Sequence, residues 1–143
     1  MVDRIIITSG YFDPIHKGHI EYLQRSKELG GWLVAILNND YQATLKKGKP
    51  FMPEDERRTI LEAIRYVDEV FLCIDSDKSV CRSIEEIFRK YQGKEIIFAK
   101  GGDRFVEEIP ETILCKELGI KVIDGLGEKI QSSSNLTGLK ELK

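Results

Sequence analysis

Short apolar runs recur at residues 5–8, 33–37, 70–73, 96–99 and 120–123, and the segments between them repeat their apolar positions every three to four residues. Uninterrupted runs of this length describe strands buried on both faces, and the longer period is helical. The first helix is expected from about Lys17 to Leu29, closed by Gly30-Gly31 as a left-handed cap. Another opens at Pro53 with Glu54, Asp55 and Glu56, acids that suit a helix start, and carries Ile60, Leu61, Ile64 and Val67 as one stripe. Val80, Ile84, Ile87, Phe88 and Tyr91 repeat the pattern, a further helix runs from near Pro110 to Gly119, and a last short one follows Ser132-Ser133-Ser134. Residues 38–52, with Lys46-Lys47-Gly48-Lys49-Pro50, show no apolar period and are expected to form a mobile basic loop.

Strands alternating with helices predict an α/β domain: a doubly wound, mostly parallel sheet of about five strands with helices on both faces. In the strand order 3-2-1-4-5 the first and fourth strands are neighbours at the switch point, where ligands bind beyond the carboxyl ends. Two segments fall at such ends, Gly10 to His19 and Lys100-Gly101-Gly102-Asp103.

Composition narrows the function classes. With 143 residues and no linker or repeat, one domain spanning residues 1–143 is expected. Lys plus Arg number 22 against 24 Asp plus Glu, a net charge of -2, so no overall field favours a nucleic acid. No run is long enough for a membrane span and no signal-peptide pattern opens the chain, which points to the cytoplasm. Cys73, Cys81 and Cys115 form no C-x-x-C pair and read as reduced, mostly buried thiols; a nucleophilic cysteine, the alternative, lacks an electropositive neighbourhood in sequence. Trp32, Tyr66 and Tyr91 read as core or interface aromatics.

Both histidines lie in His16-Lys17-Gly18-His19, after Gly10-Tyr11-Phe12-Asp13-Pro14 and at the start of the first helix. A helix start presents unpaired N–H groups and the positive end of a dipole, and residues three apart share a face. Gly18 lets a phosphate approach the backbone, and two imidazoles flank it. Two other readings compete: capping or core packing by the histidines, and a transition-metal site from Asp13, His16 and His19 at spacings of three, for which no fourth ligand is evident. Asp13 itself suits either a cap of the first turn or a place beside phosphates.

The segment Gly10 to His19 resembles the G-x-F-D-x-x-H-x-G-H signature of cytidylyltransferase-like nucleotidyltransferases, whose fold is Rossmann-like. Arg57 within Glu56-Arg57-Arg58, Tyr66-Val67-Asp68-Glu69-Val70, Lys100-Gly101-Gly102-Asp103 and Ser132-Ser133-Ser134 fall where that family places its later motifs. The similarity is greatest to glycerol-3-phosphate cytidylyltransferases and to the heptose-phosphate adenylyltransferase domains of lipopolysaccharide core biosynthesis. The cytidylyltransferases end in R-T-E-G-I-S-T-T, whereas this chain has Gly127-Glu128-Lys129-Ile130-Gln131-Ser132-Ser133-Ser134, with Gly127 at the arginine position and Lys129 as the nearby charge. The glycine pair Gly101-Gly102 instead resembles the heptose enzymes, which tilts the expected nucleotide from CTP towards ATP.

The resemblance implies transfer of a nucleotidyl group from ATP or CTP to a small phosphorylated metabolite, such as a sugar or polyol phosphate, with release of pyrophosphate. Such chemistry needs alignment and charge stabilisation more than a strong base. It assigns His16, His19 and Lys46 to catalysis. Gly10, Tyr11, Phe12, Asp13, Gly18, Lys100, Gly101, Gly102, Asp103, Lys129, Ser132, Ser133 and Ser134 are assigned to the nucleotide, and Asp40 and Arg57 to the acceptor or its phosphate. Magnesium is expected to arrive with the triphosphate, with Asp13 as a possible contact, and a homodimer is expected. Bland readings stand beside these: Lys46, Lys47 and Lys49 as a solvated loop, Arg57 as a helix-surface ion pair, Lys100-Gly101-Gly102-Asp103 as a tight turn. The competing functions are a flavin or other cofactor adenylyltransferase and a non-catalytic nucleotide sensor.

Overall fold

A computed structural model describes residues 3–101 and 109–126. Five strands, β1 (Arg4–Gly10), β2 (Trp32–Leu37), β3 (Glu69–Leu72), β4 (Glu95–Gly101) and β5 (Lys121–Leu126), form one sheet in the order β3-β2-β1-β4-β5. Every neighbouring pair is parallel, with Ile5 opposite both Trp32 and Ile96. The expected strand order and class are those observed. Helices α1 (Lys17–Lys27), α2 (Asp40–Lys47), α3 (Glu54–Glu62), α4 (Cys81–Lys90) and α5 (Ile109–Leu118) connect the strands.

The apolar runs divide by parity between two cores, as a pleated strand requires. Ile5, Ile7, Val34, Ile36, Ile96 and Phe98 pack with Ile84 and Ile87 of α4 and Cys115 of α5. Ile6, Leu33, Ala35, Leu37, Ile97 and Ala99 pack on the other side with Leu23 of α1 and Leu61 of α3. Each fully buried Ile or Leu contributes about 1.5–3 kcal/mol, so central strands apolar on both faces anchor the domain. Trp32, Tyr66 and Tyr91 lie partly buried at core edges. Cys73 and Cys115 are buried and Cys81 is half-buried; none is in a disulfide. Burial pushes the Cys73 thiol up to about 11, so it is a poor nucleophile. Among the described residues no helix is long and apolar enough to cross a membrane.

Residues 38–52 depart from the mobile loop expected of them. Their first half is α2, which Asn39 and Gln42 start with a reciprocal capping box and Gly48, at φ 91°, ends. The helix lacks an apolar period because its inward side is Gln42 and Ala43, while Tyr41 and Leu45 face outward. Buried Gln42 donates to the carbonyls of Asp77 and Ser79 and accepts from Asn38 and from the Asn39 N–H, so its polarity is satisfied. The stripe expected along residues 60–67 is also cut short: α3 stops at Glu62, Ile60 is exposed, and Ile64 and Val67 pack from the turn that follows. The helix expected after Ser134 lies outside the described residues.

Pairing between β1 and β4 is regular from Arg4 and Glu95 to Ile7 and Phe98. Beyond it, the Tyr22 hydroxyl of α1 accepts from Ser9 N at 3.2 Å and donates to Ala99 O at 2.5 Å. A side chain thus bridges the two strands at the switch point, where a doubly wound sheet opens its crevice.

Candidate active site

The signature segment, residues 10–19, leaves β1 at this crevice. Phe12 adopts φ 49°, a left-handed conformation that costs a non-glycine residue about 1–2 kcal/mol. Its ring is 2% exposed, and a Cβ on Gly10 would stand 3.1 Å from it. The strained turn therefore folds the ring under the end of β1, and any side chain at position 10 would press on that ring. The same ring meets the edge of the His19 imidazole at 5.1 Å between centroids.

The histidines form an unusual capping box. His16 is the N-cap of α1, and its Nδ1 accepts from Gly18 N at 3.1 Å; His19 Nδ1 accepts from His16 N at 3.0 Å. Because both Nδ1 atoms accept backbone protons, each neutral imidazole carries its own proton on Nε2. The rings lie 4.0 Å apart between centroids. A Cβ on Gly18 would approach His16 Cε1 to 3.0 Å, so glycine gives the folded-back imidazole its room. Two expectations change here. The Gly18 N–H that the helix start was to offer an anion is held by His16, and the cap of the first turn is His16, not Asp13. Capping and a phosphate role are not exclusive, since they use different nitrogens.

Asp13 faces the strap formed by residues 46–52. Its oxygens accept from Phe51 N and Met52 N, each at 2.8 Å, and Oδ2 pairs with Lys47 Nζ at 2.9 Å. The side chain has no exposed surface. Burial works to raise its pKa, but the Lys47 hydrogen bond, the two N–H groups and the lysine charge together hold it below the ordinary value of 3.8. The folded protein thus binds this proton less readily than the unfolded chain. Its contribution to stability is complete above pH 3.8 and is lost as acid takes the pH through the lowered value. Urea unfolding at a series of acidic pH values should show this decline in the wild type and a flatter profile in Asp13→Asn.

These contacts also bear on metals. Among the described residues no three His, Cys, Asp or Glu side chains converge, and Asp13 has both oxygens engaged. The spacing of Asp13, His16 and His19 therefore does not make a transition-metal site. Nor does the donor set fit a protein-held magnesium at Asp13, so no chemical step is routed through one.

Arg57 is neither a surface ion pair nor an open acceptor contact. It is 1% exposed and donates to Met52 O, Tyr11 O, Asn38 O and Asp40 Oδ1 at 2.7–2.9 Å. It binds together the signature segment, the end of β2 and the strap, while Asp40, 39% exposed, has its free edge towards solvent. Lys46 Nζ stands 4.5 Å from the Tyr11 ring centroid. Lys100 is nearly buried on β4, on the parity of Ile96 and Phe98, and its Nζ reaches Thr112 Oγ1 of α5 at 3.5 Å. Gly101 ends β4 with open space beside it. The structure thus gathers Gly10, Tyr11, Phe12, Asp13, His16, Gly18, His19, Asp40, Lys46 and Arg57 around one segment, and directs Lys100 to a helix. Gly102, Asp103, Lys129, Ser132, Ser133 and Ser134 lie outside the described residues. Sequence reasoning passed over Lys47, the partner of Asp13, because a lysine among lysines carries no local signal.

A doubly wound parallel sheet with paired histidines capping the helix after β1 defines the nucleotidyltransferase class. The chain belongs to the cytidylyltransferase-like family, whose pattern it matches over residues 7–136. It is 36% identical over 103 residues to an FAD synthase of Ferroglobus placidus, covering 72% of this chain and 62% of that protein. It is 33% identical over 137 residues to the bifunctional protein HldE of Pelobacter propionicus, covering 94% of this chain and 25% of that one. The chain thus spans about six-tenths and a quarter of these relatives. Among solved structures, a lipopolysaccharide core biosynthesis protein from Thermoplasma volcanium GSS1 superposes with a TM-score of 0.66 at 27% identity, over 87% of this chain and 94% of that one.

Proposed function

We propose that this protein transfers a nucleotidyl group, an adenylyl group in preference to a cytidylyl group, from a nucleoside triphosphate to a small phosphorylated metabolite. The observation that carries the reading is the histidine pair. Two imidazoles held by their Nδ1 atoms have Nε2–H groups oriented without further reorganisation, which is what stabilising charge on a transferring α-phosphate requires. An acceptor phosphate oxygen attacks the α-phosphorus, the bond to the bridging oxygen breaks, and pyrophosphate leaves. The acceptor is already anionic, so no general base is needed. Lys46, which the family resemblance places on the phosphates, is the cation assigned to them, and its Nζ stands beside the Tyr11 ring of the signature segment. Lys47, paired to a covered carboxylate, is the poorer candidate. Magnesium would come with the triphosphate.

The FAD synthase relatives support a flavin phosphate as acceptor, since FAD itself contains an adenylate, and the sugar phosphate rests on the resemblance to the heptose-phosphate adenylyltransferase domains. Pyrophosphate release from ATP and CTP, each with sugar phosphates, polyol phosphates and flavin mononucleotide, tests the proposal. Turnover with ATP and one acceptor class is expected. A higher kcat/KM for CTP with glycerol 3-phosphate would reverse the nucleotide assignment, and binding without pyrophosphate release would make the domain a sensor.

A further inference from the structure

We propose that Asp13 is a positioning residue that acts through the strap of residues 46–52: it holds the strap's backbone and Lys47, and so keeps Lys46 over the signature segment, where the triphosphate meets it. The inference rests on the phosphate role assigned to Lys46 above. A carboxylate in a phosphate site is ordinarily read as a metal contact or a helix cap. Here the cap is His16, and the carboxylate has no exposed surface and three donors.

The strap is held from both sides. Asp13 takes the N–H groups of Phe51 and Met52, and Arg57 Nε donates to Met52 O at 2.9 Å. Lys47 Nζ also donates to Asp13 O at 3.2 Å, so the last turn of α2 is tied to the same residue twice. Upstream, Glu54 Oε1 accepts from Asp40 N at 2.7 Å and joins the start of α3 to the start of α2. Between these ties the chain turns at Gly48, φ 91°, where a side chain would meet nothing. Without the Asp13 carboxylate the segment keeps its tie through Arg57, which reaches Met52 O and Tyr11 O, but loses the two direct backbone bonds and the Lys47 pair that fix it against the signature segment. Phe51 is 73% exposed, so apolar packing does not replace the lost bonds.

Amide hydrogen exchange, calorimetric titration with ATP·Mg²⁺ and a double-mutant cycle test this together. In Asp13→Asn the amides of Phe51 and Met52 should exchange at least about tenfold faster, since local opening sets their protection. ATP should bind about tenfold more weakly. Lys46→Met alone should cost about as much, yet add less than about threefold in the Asp13→Asn background, because a displaced lysine has little left to lose. The magnesium concentration giving half-maximal binding should not move. Lys47→Met, which leaves both backbone bonds, serves if Asp13→Asn does not fold, and should show the same coupling to Lys46 at smaller amplitude. Unchanged amide protection with a shifted magnesium requirement would make Asp13 a metal contact and overturn the proposal, as would full additivity with Lys46→Met. A wild-type protein that binds neither ATP nor CTP would instead overturn the functional reading, and the exchange data would still decide whether Asp13 holds the strap.

Discussion

His16→Asn and His19→Gln are expected to lower turnover by about two orders of magnitude or more while leaving the fold nearly as stable as the wild type. The pairing of substitutions follows from the two nitrogens. Each Nδ1 caps the start of α1, and each Nε2 carries the proton proposed to act in chemistry. Asparagine is among the best N-cap residues, and glutamine at the third helical position is the usual partner in a capping box, so these variants keep the cap and remove the donor. A donor acting mainly in the transition state is worth about 3–4 kcal/mol of barrier. His16→Ala should lose that and also about 1 kcal/mol of stability from the cap. Steady-state kcat and thermal melts of the three variants separate the effects. Turnover within a few fold of wild type in both cap-preserving variants would leave the histidines as caps alone.

The sheet was legible because its signal is local. Four or five consecutive apolar residues, too short a run for a buried helix, suit a strand covered on both faces, and both core clusters are filled that way. The histidine motif was legible for the same reason, since its glycine and its spacing sit within four residues. What the motif did not disclose is which nitrogen does what, because a cap and a phosphate donor require the same residue at the same place. Helix α2 was missed although its start and stop lie in the sequence: Asn39 with Gln42, then Lys46-Lys47-Gly48. The segment has no apolar period, because this helix packs through a buried glutamine that loop carbonyls satisfy.

Asp13 and Arg57 were illegible for a different reason. Their partners are distant in sequence: Asp13 reaches Phe51 and Met52, and Arg57 reaches Tyr11 and Asn38. An acid beside a histidine motif and an arginine on an amphipathic helix carry priors towards ligand and solvent. Only tertiary structure shows that backbone groups have taken those positions.

Arg57→Met is expected to cost about 3–5 kcal/mol of folding free energy, whereas Asp40→Asn should cost less than about 1 kcal/mol. The contrast identifies what the guanidinium is for. Arg57 faces three backbone carbonyls, from Tyr11, Asn38 and Met52, and removing it leaves buried acceptors unpaired in a space that methionine fills only in part. Its ion pair with Asp40 joins a covered cation to a carboxylate that is 39% exposed. Solvent already screens that carboxylate, and an asparagine oxygen can still accept from the guanidinium. Arg57→Lys should fall between the two, since an ammonium has the charge but not the planar fork that reaches carbonyls on different segments. Urea unfolding gives the comparison directly: the midpoint should fall far for Arg57→Met with little change in slope, and barely for Asp40→Asn. Equal losses in Arg57→Met and Asp40→Asn would show that the ion pair, not the grip on the three carbonyls, holds the signature segment in place.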